Sequence, residues 1–118
     1  MGMKYVPYYK PRYNRRMKKE WEVELEAALR ARKAGNEGRA RVCARRAAGA
    51  VARKYLKGDR EMNAYEALLA LKGVTGISPE LWQAADHLTM RVNEIFRLPV
   101  DVDLLADARI LCESLNEE

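Results

Sequence analysis

Apolar residues recur along most of this chain at steps of three and four, the spacing of one face of an α-helix. In the stretch 39–57, small and apolar residues share one face and cations occupy the other. The small face consists of Ala40, Cys43, Ala44, Ala47, Ala48 and Val51, ending on Tyr55 and Leu56. Such small side chains let neighbouring helices approach closely, which predicts the central helix of a bundle. Gly49 indicates an especially tight contact there, because glycine in a helix costs about 1 kcal/mol relative to alanine.

Helix starts and stops divide the rest of the chain into four more helices. We expect three of them over about 17–34, 64–72 and 79–96, with the central helix ending near Lys57. The last helix follows Asp101 or Asp103, with Leu104, Ala108, Leu111, Cys112 and Leu115 facing inward. The N-cap candidates are Asn36, Asn63 (with Glu66 in a capping box), Ser78 (before Pro79) and Asp101 or Asp103. The C-terminal stops are Gly35, Gly58, Gly73 and Pro99. No stretch alternates as a strand does, so the pattern predicts an all-α, antiparallel, up-and-down bundle of about five helices.

Residues 1–16 differ from this helical domain, which we place at 17–118. Two prolines exclude a helix in the segment, and its tyrosines alternate with cations. The tyrosines are Tyr5, Tyr8, Tyr9 and Tyr13, and the cations are Lys4, Lys10, Arg12, Arg15 and Arg16. Such an arm could stack bases while screening phosphates, or lay its rings on the bundle or on a partner subunit. We favour packing, because four tyrosines are a large apolar area to leave in water.

Charge falls into blocks, although the net charge of the 118 residues is only +5. Residues 1–19 and 39–57 each carry seven cations and no acid, whereas residues 58–118 carry twelve acids against five bases. The basic blocks therefore either attract phosphate or face the acidic half, within the bundle or across a dimer.

The arginines of the central helix form two rows. Arg39, Arg46 and Arg53 recur every seven residues, and Arg41 and Arg45 form the second row. Either row could follow a nucleic-acid backbone, since a phosphate contact needs only a donor and a charge. The alternative is a set of internal salt bridges to Glu22, Glu26 or the acidic last helices. The candidate phosphate-binding residues are Arg39, Arg41, Arg45, Arg46, Arg53 and Arg97.

Composition indicates neither a membrane protein nor a metalloprotein. No apolar run approaches the ~20 residues of a membrane span, and the N-terminus is too polar for a secretory signal. Cys43 and Cys112 fall on predicted apolar faces, so we expect two reduced core cysteines in a cytoplasmic protein. Two cysteines without CxxC spacing and a single histidine form no zinc motif. We expect no metal and no cofactor.

Three stretches carry a resemblance to a known family. A helix opening on Trp21 leads through a glycine-bearing turn into RVCARRAAGAVARKYL at 41–56; NAYEALLAL follows at 63–71, and RLPVDVDLLADARILCESL closes the chain at 97–115. Together they resemble the HEPN family (higher eukaryotes and prokaryotes nucleotide-binding domain) over about residues 20–116. The resemblance implies a helical domain that binds a nucleotide or RNA. It also implies a small nucleotidyltransferase as protein partner, because relatives often act with one in toxin–antitoxin-type pairs.

The nuclease motif of that family is absent. Nuclease members carry an arginine followed, after four to six residues, by a histidine that serves phosphodiester cleavage. The only histidine here is His87, and residues 80–82, where that arginine would stand, are Glu, Leu and Trp. Arg91 lies on the wrong side of the histidine. The resemblance therefore implies a non-catalytic binding or regulatory domain.

Two alternatives stay open. His87 and Arg91, one turn apart on the predicted fourth helix, could bind a phosphate and transfer a proton in an RNA-processing enzyme with an altered site. Such a pair is more often solvated surface or interface. The chain could also be a purely structural dimerisation module. We expect a homodimer in any case, because several large apolar residues lie off the main core stripes, namely Trp82, Met90, Phe96 and Leu98.

Overall fold

Five helices make up the regular structure of the residues that can be described. The computed structural model describes residues 18–58, 61–90 and 102–116. The helices are α1 (Glu20–Lys33), α2 (Glu37–Leu56), α3 (Ala64–Lys72), α4 (Pro79–Leu88) and α5 (Leu104–Leu115). The described residues contain no strand, which confirms the predicted all-α class. Several predicted features lie outside the described residues. They are the arm, the candidates Arg91 and Arg97, and the apolar residues Phe96 and Leu98.

α2 is the centre of the bundle, packing against α1, α3 and α5. Its small face is buried throughout, as predicted, at Ala40, Cys43, Ala44, Ala47, Ala48 and Val51. Tyr55, in the last turn, is instead 40% exposed. Because alanine and cysteine fill the contacts of α2, the larger leucines of the core come from the surrounding helices. The fully buried ones are Leu68, Leu71, Leu88, Leu104 and Leu111.

The closest helix contact occurs at Gly49, as the sequence predicted. A Cβ atom added to Gly49 would lie 2.4 Å from the Cβ of Ala64 and 2.5 Å from its Cα. Ala64 is the first residue of α3. The start of α3 therefore packs directly on the backbone of α2.

The predicted N-caps are confirmed by their hydrogen bonds. Asn63 and Glu66 form the capping box, with each side chain accepting from the other's backbone N–H at 2.8 and 3.0 Å. The side chains of Asn36 and Ser78 accept from the N–H groups of Arg39 and Leu81. At α5 the cap is Asp103, which accepts from the N–H groups of Leu105 and Ala106. These caps satisfy amide groups that a helix start otherwise leaves unpaired.

α4 is shorter than predicted, because it ends at Leu88 instead of continuing to about Phe96. Two side chains bond to the carbonyls of its last turn. The Thr89 hydroxyl donates to the carbonyl oxygens of Ala85 and Asp86, at 3.0 Å each. Arg45 of α2 donates to those of Leu88 and Met90, at 2.8 and 3.3 Å. The helix therefore ends at Leu88, and Arg91, the predicted neighbour of His87, lies outside the described residues.

Both cysteines are buried and unpaired, at α2 and α5. Burial raises the pKa of the Cys112 thiol to about 12, so its sulfur behaves as an inert apolar atom. Within the described residues, each helix is too short or too polar to cross a membrane.

Candidate phosphate-binding face of the central helix

The fold separates the predicted arginines of α2 into engaged and unengaged groups. Arg41, Arg45 and Arg53 each have a partner within the described part of the chain. Arg39 and Arg46 are exposed, and no partner is found for either side chain among the described residues. Although Arg39, Arg46 and Arg53 are spaced seven residues apart, they therefore do not share a common environment.

Arg45 has a structural role at the end of α4. Its side chain is half-buried, and two of its nitrogens donate to the backbone carbonyls of Leu88 and Met90. A cation suits this place, because carbonyl dipoles give the C-terminus of a helix a partial negative charge. Burial lowers the pKa of the Arg45 guanidinium, and the charge of Arg41 one turn away lowers it further. Arg45 is thus held by α4 and is poorly placed to meet a phosphate.

Arg53 and Arg41 are also engaged, less tightly. The Arg53 guanidinium donates to the carbonyl oxygen of Met62 at 3.2 Å, which ties the approach to α3 onto α2. Arg41 lies 3.9 Å from Glu37, one turn earlier on α2. Glu37 is more closely bound by Arg32, whose Nη2 lies 2.6 Å from its carboxylate. Arg41 therefore keeps more of its binding capacity than Arg53 does.

Four exposed cations are left on α2 and its C-cap. We call Arg39, Arg46, Lys54 and Lys57 the outer cations. Among the described residues, none of them has an ion-pair or hydrogen-bond partner for its side chain. They span about 27 Å along the helix, at 1.5 Å per residue. Such a face presents mobile donors and positive charge to solvent, which is what contact with a polyanion requires.

Several carboxylates that could have neutralised these cations pair with other residues. The sequence offered Glu22 and Glu26 as partners, but Glu22 accepts from the Lys19 backbone N–H at 2.8 Å and Glu26 pairs with Lys18 at 2.5 Å. The acids of the later helices pair with other residues too. These pairs are Asp86 with Lys72, Asp103 with Arg32, Asp107 with His87 and Glu113 with Arg109. Internal salt bridges therefore do not account for the outer cations.

Arg32 forms a junction that the sequence analysis missed. Its guanidinium donates to both carboxylate oxygens of Glu37, at 3.1 and 2.6 Å, and to both of Asp103, at 3.3 and 3.1 Å. One α1 side chain thus joins the starts of α2 and α5. These hydrogen bonds hold the pKa values of Glu37 and Asp103 below their usual range. A capping aspartate 71 residues away gives no local signal of this contact.

His87 lies between α4 and α5 instead of in solvent. Its Nδ1 atom lies 3.1 Å from an Asp107 carboxylate oxygen, and the two side chains are only 16% and 14% exposed. Burial raises the pKa of Asp107, while the nearby histidine opposes that shift. A carboxylate that orients an imidazole is one part of a general-base arrangement. The neighbouring hydroxyl of Thr89, however, is committed to backbone carbonyls.

Comparison with protein-family models, with curated proteins and with solved structures yields no match to this chain. Its own residues therefore carry the functional assignment. Within the part of the chain that the structure describes, no three acidic, histidine or cysteine side chains cluster as metal ligands would. The most distinctive chemistry on its surface is the set of outer cations.

Proposed function

We propose that this chain is a non-catalytic, HEPN-like binding domain that contacts the phosphates of RNA or a nucleotide through the outer face of α2. One observation carries the proposal: the outer cations are exposed, and no carboxylate among the described residues pairs with any of them. Only Lys54 and Lys57 stand three residues apart, a spacing at which like charges on a helix repel each other. A polyanion supplies the opposite charge and gains from the release of its condensed counterions.

The chemistry of the face favours binding that is insensitive to base sequence. Lysine and arginine on an exposed helix contact phosphate oxygens, which carry no sequence information. We therefore expect single-stranded RNA to bind with modest affinity and strong salt dependence.

We propose that the domain is non-catalytic because of the position of His87. Its ring is largely enclosed between α4 and α5, where it contacts Asp107. The outer cations lie on a different helix, α2. An enzyme that cleaves RNA needs its base within hydrogen-bond reach of a 2′-hydroxyl. A buried interhelical pair instead stabilises the contact of α4 with α5.

We further propose that the domain is a homodimer and acts with a nucleotidyltransferase-type protein partner. Support for the partner comes from the resemblance to HEPN proteins. Support for self-association comes from Trp82, which is 42% exposed on α4. Large aromatic side chains at the surface are enriched at protein interfaces.

RNA binding by matched charge variants tests the phosphate contact. Arg39→Gln with Arg46→Gln removes two outer cations, and fluorescence anisotropy of a labelled single-stranded RNA reports binding over a range of salt concentrations. Each phosphate contact on a single strand adds about −0.7 to the slope of log K against log salt. We therefore expect the slope to flatten by about 1.4 in this variant. Arg53 is left intact, because it holds the Met62 carbonyl.

Arg30→Gln with Lys33→Gln is the matched control. Both residues are exposed on α1, and no partner is found for either among the described residues, so the loss of charge is the same. We expect this control to bind nearly as the wild type does. If both double variants weakened RNA binding equally, the effect would depend on net charge alone, and the proposed binding face would be wrong. Wild-type protein should leave the RNA intact, and cleavage abolished by His87→Ala would establish the enzyme alternative.

A further inference from the structure

A groove runs along the bundle between α1 and α5, on a side that the proposed function does not use. Two adjoining cavities of about 260 and 360 Å³ form it, with Leu25, Leu29 and Arg109 lining both. Trp21 lies at one end and Ile110 towards the other. Leu29 is 39% exposed although it belongs to the predicted core stripe of α1. The groove therefore exposes apolar side chains of a kind that a bundle normally buries.

The rim of this groove is acidic. Four carboxylates and two guanidinium groups line the two cavities, namely Glu22, Glu26, Asp103, Glu113, Arg32 and Arg109. The end at Trp21 has three of the carboxylates; Arg109 lines it too, and Lys18 pairs with Glu26. An apolar floor with an acidic rim fits an extended segment that combines aromatic rings with cations.

The chain enters α1 at this acidic end. Lys18, the first described residue, lies before the helix starts, yet its Nζ atom pairs with Glu26, eight residues further along. Glu26 lines the groove. The side chain of Lys18 is therefore already turned back along α1, over the edge that leads into the groove. Residues 1–17 directly precede Lys18 in the sequence, and they carry five cations, four tyrosines and no acid.

We propose that the groove between α1 and α5 binds the chain's own residues 1–17. The tyrosine rings would cover Trp21 and Leu29, and the cations would join or replace Lys18 and Arg109 in their exposed ion pairs with Glu26 and Glu113. Length permits this: the lining residues of α1 span about 17 Å at 1.5 Å per residue, while about five extended residues cover the same distance. The occupant is intramolecular, because its effective concentration at the groove exceeds that of a second copy.

Disulfide trapping in the full-length chain tests the proposal. Asn14→Cys places a thiol in the segment without removing a tyrosine or a cation, and Leu29→Cys places one in the groove. Position 29 lies about 17 Å along α1 from Lys18. Four extended residues from position 14 to Lys18 reach about 14 Å, and the roughly 5.5 Å between the Cα atoms of a disulfide spans the remainder. The native Cys43 and Cys112 are buried and do not compete. Mild oxidation should give a disulfide-linked monomer, seen as a shifted band on a non-reducing gel.

Lys54→Cys, again paired with Asn14→Cys, is the control. Lys54 is exposed and lines a different cavity together with Lys19 and Glu20, so it lies nearer the start of α1 than Leu29 does. Proximity alone would thus favour the control pair. We expect the groove pair to form about tenfold faster, as the higher effective concentration of a docked segment requires. Equal or faster trapping at Lys54, or no disulfide in either pair, would overturn the proposal.

Charge variants give a second readout. Glu26→Gln with Glu113→Gln removes two rim carboxylates from exposed positions and should slow trapping at position 29 severalfold, as should added salt. Trapping that is indifferent to both changes would contradict the role of the acidic rim. Covalent dimers in place of the linked monomer would show that the groove takes the segment of another copy.

Discussion

Replacing Gly49 by alanine measures how closely α3 packs on α2. The new Cβ would lie 2.4 Å from the Cβ of Ala64 and 2.5 Å from its Cα, whereas non-bonded carbon atoms are most favourable at about 3.5–4.0 Å. The shortfall is more than an ångström. Ala64 cannot relieve it by rotating a side chain, because its Cβ is fixed to the backbone. The first turn of α3 must therefore move away from α2.

Two opposing effects set the size of the change in stability. Overpacking of a well-filled core costs about 1–3 kcal/mol. Alanine's better helix propensity returns up to about 1 kcal/mol. Because the overlap involves backbone atoms on the opposite helix, we place the packing cost at the upper end and expect a net loss of about 2 kcal/mol. Urea unfolding followed by circular dichroism would show it as a lower midpoint with an unchanged slope.

Gly38→Ala is the internal control for this experiment. Gly38 lies in the first turn of the same helix, and the nearest atom to an added Cβ, Oδ1 of Asn36, is 3.9 Å away. The same substitution should therefore stabilise the protein there, by up to about 1 kcal/mol. Opposite signs at the two glycines are the expected result. A Gly49→Ala variant as stable as the wild type would refute the close approach of α3.

Three further predictions concern pH, thiol reactivity and assembly. Arg32 lowers the pKa values of Glu37 and Asp103, so its contribution to the free energy of unfolding is present at neutral pH and is lost as pH falls through those lowered values. Arg32→Gln should therefore lower the free energy of unfolding by about 1 kcal/mol at pH 7, since these groups are partly exposed. Urea titrations at pH 3 should show a smaller loss. Burial raises the pKa of the Cys112 thiol to about 12, so this thiol should react with a thiol reagent at pH 8 only as fast as the protein unfolds. Rapid labelling of the native state would contradict its burial. Sedimentation at micromolar concentration should show a dimer that Trp82→Ala weakens, whereas a 13.5 kDa species alone would exclude it.

Features set by neighbouring residues were predictable from the sequence. The N-caps at Asn36, Asn63 and Ser78 depend on a side chain meeting an amide three residues away, and all three are present. The small face of α2 was also visible, because burial follows helical periodicity. Gly49 could be interpreted for the same reason, since glycine inside a run of good helix formers implies a steric demand.

Features set by distant residues were not predictable. The end of α4 depends on Arg45, which bonds the Leu88 carbonyl from 43 residues away. His87 was expected on a polar surface, because nothing near it in the sequence announces Asp107 on another helix. For the candidate site, the sequence identified α2 as the basic element but could not separate its engaged arginines from its exposed ones.

That separation follows from the small residues of α2 themselves. Alanines on one face bring the neighbouring segments close, so their backbone carbonyls lie within reach of arginines at the edge of the contact. Arg45 and Arg53 are bound in this way, to the carbonyls of Leu88 and Met62. Cations farther round the helix, such as Arg39 and Arg46, have no side-chain partner within the described part of the chain, and they form the face that we propose as a binding surface. The same helix thus stabilises the bundle along the edges of its small face and leaves other cations exposed, and neither group can be identified from the number of its cations alone.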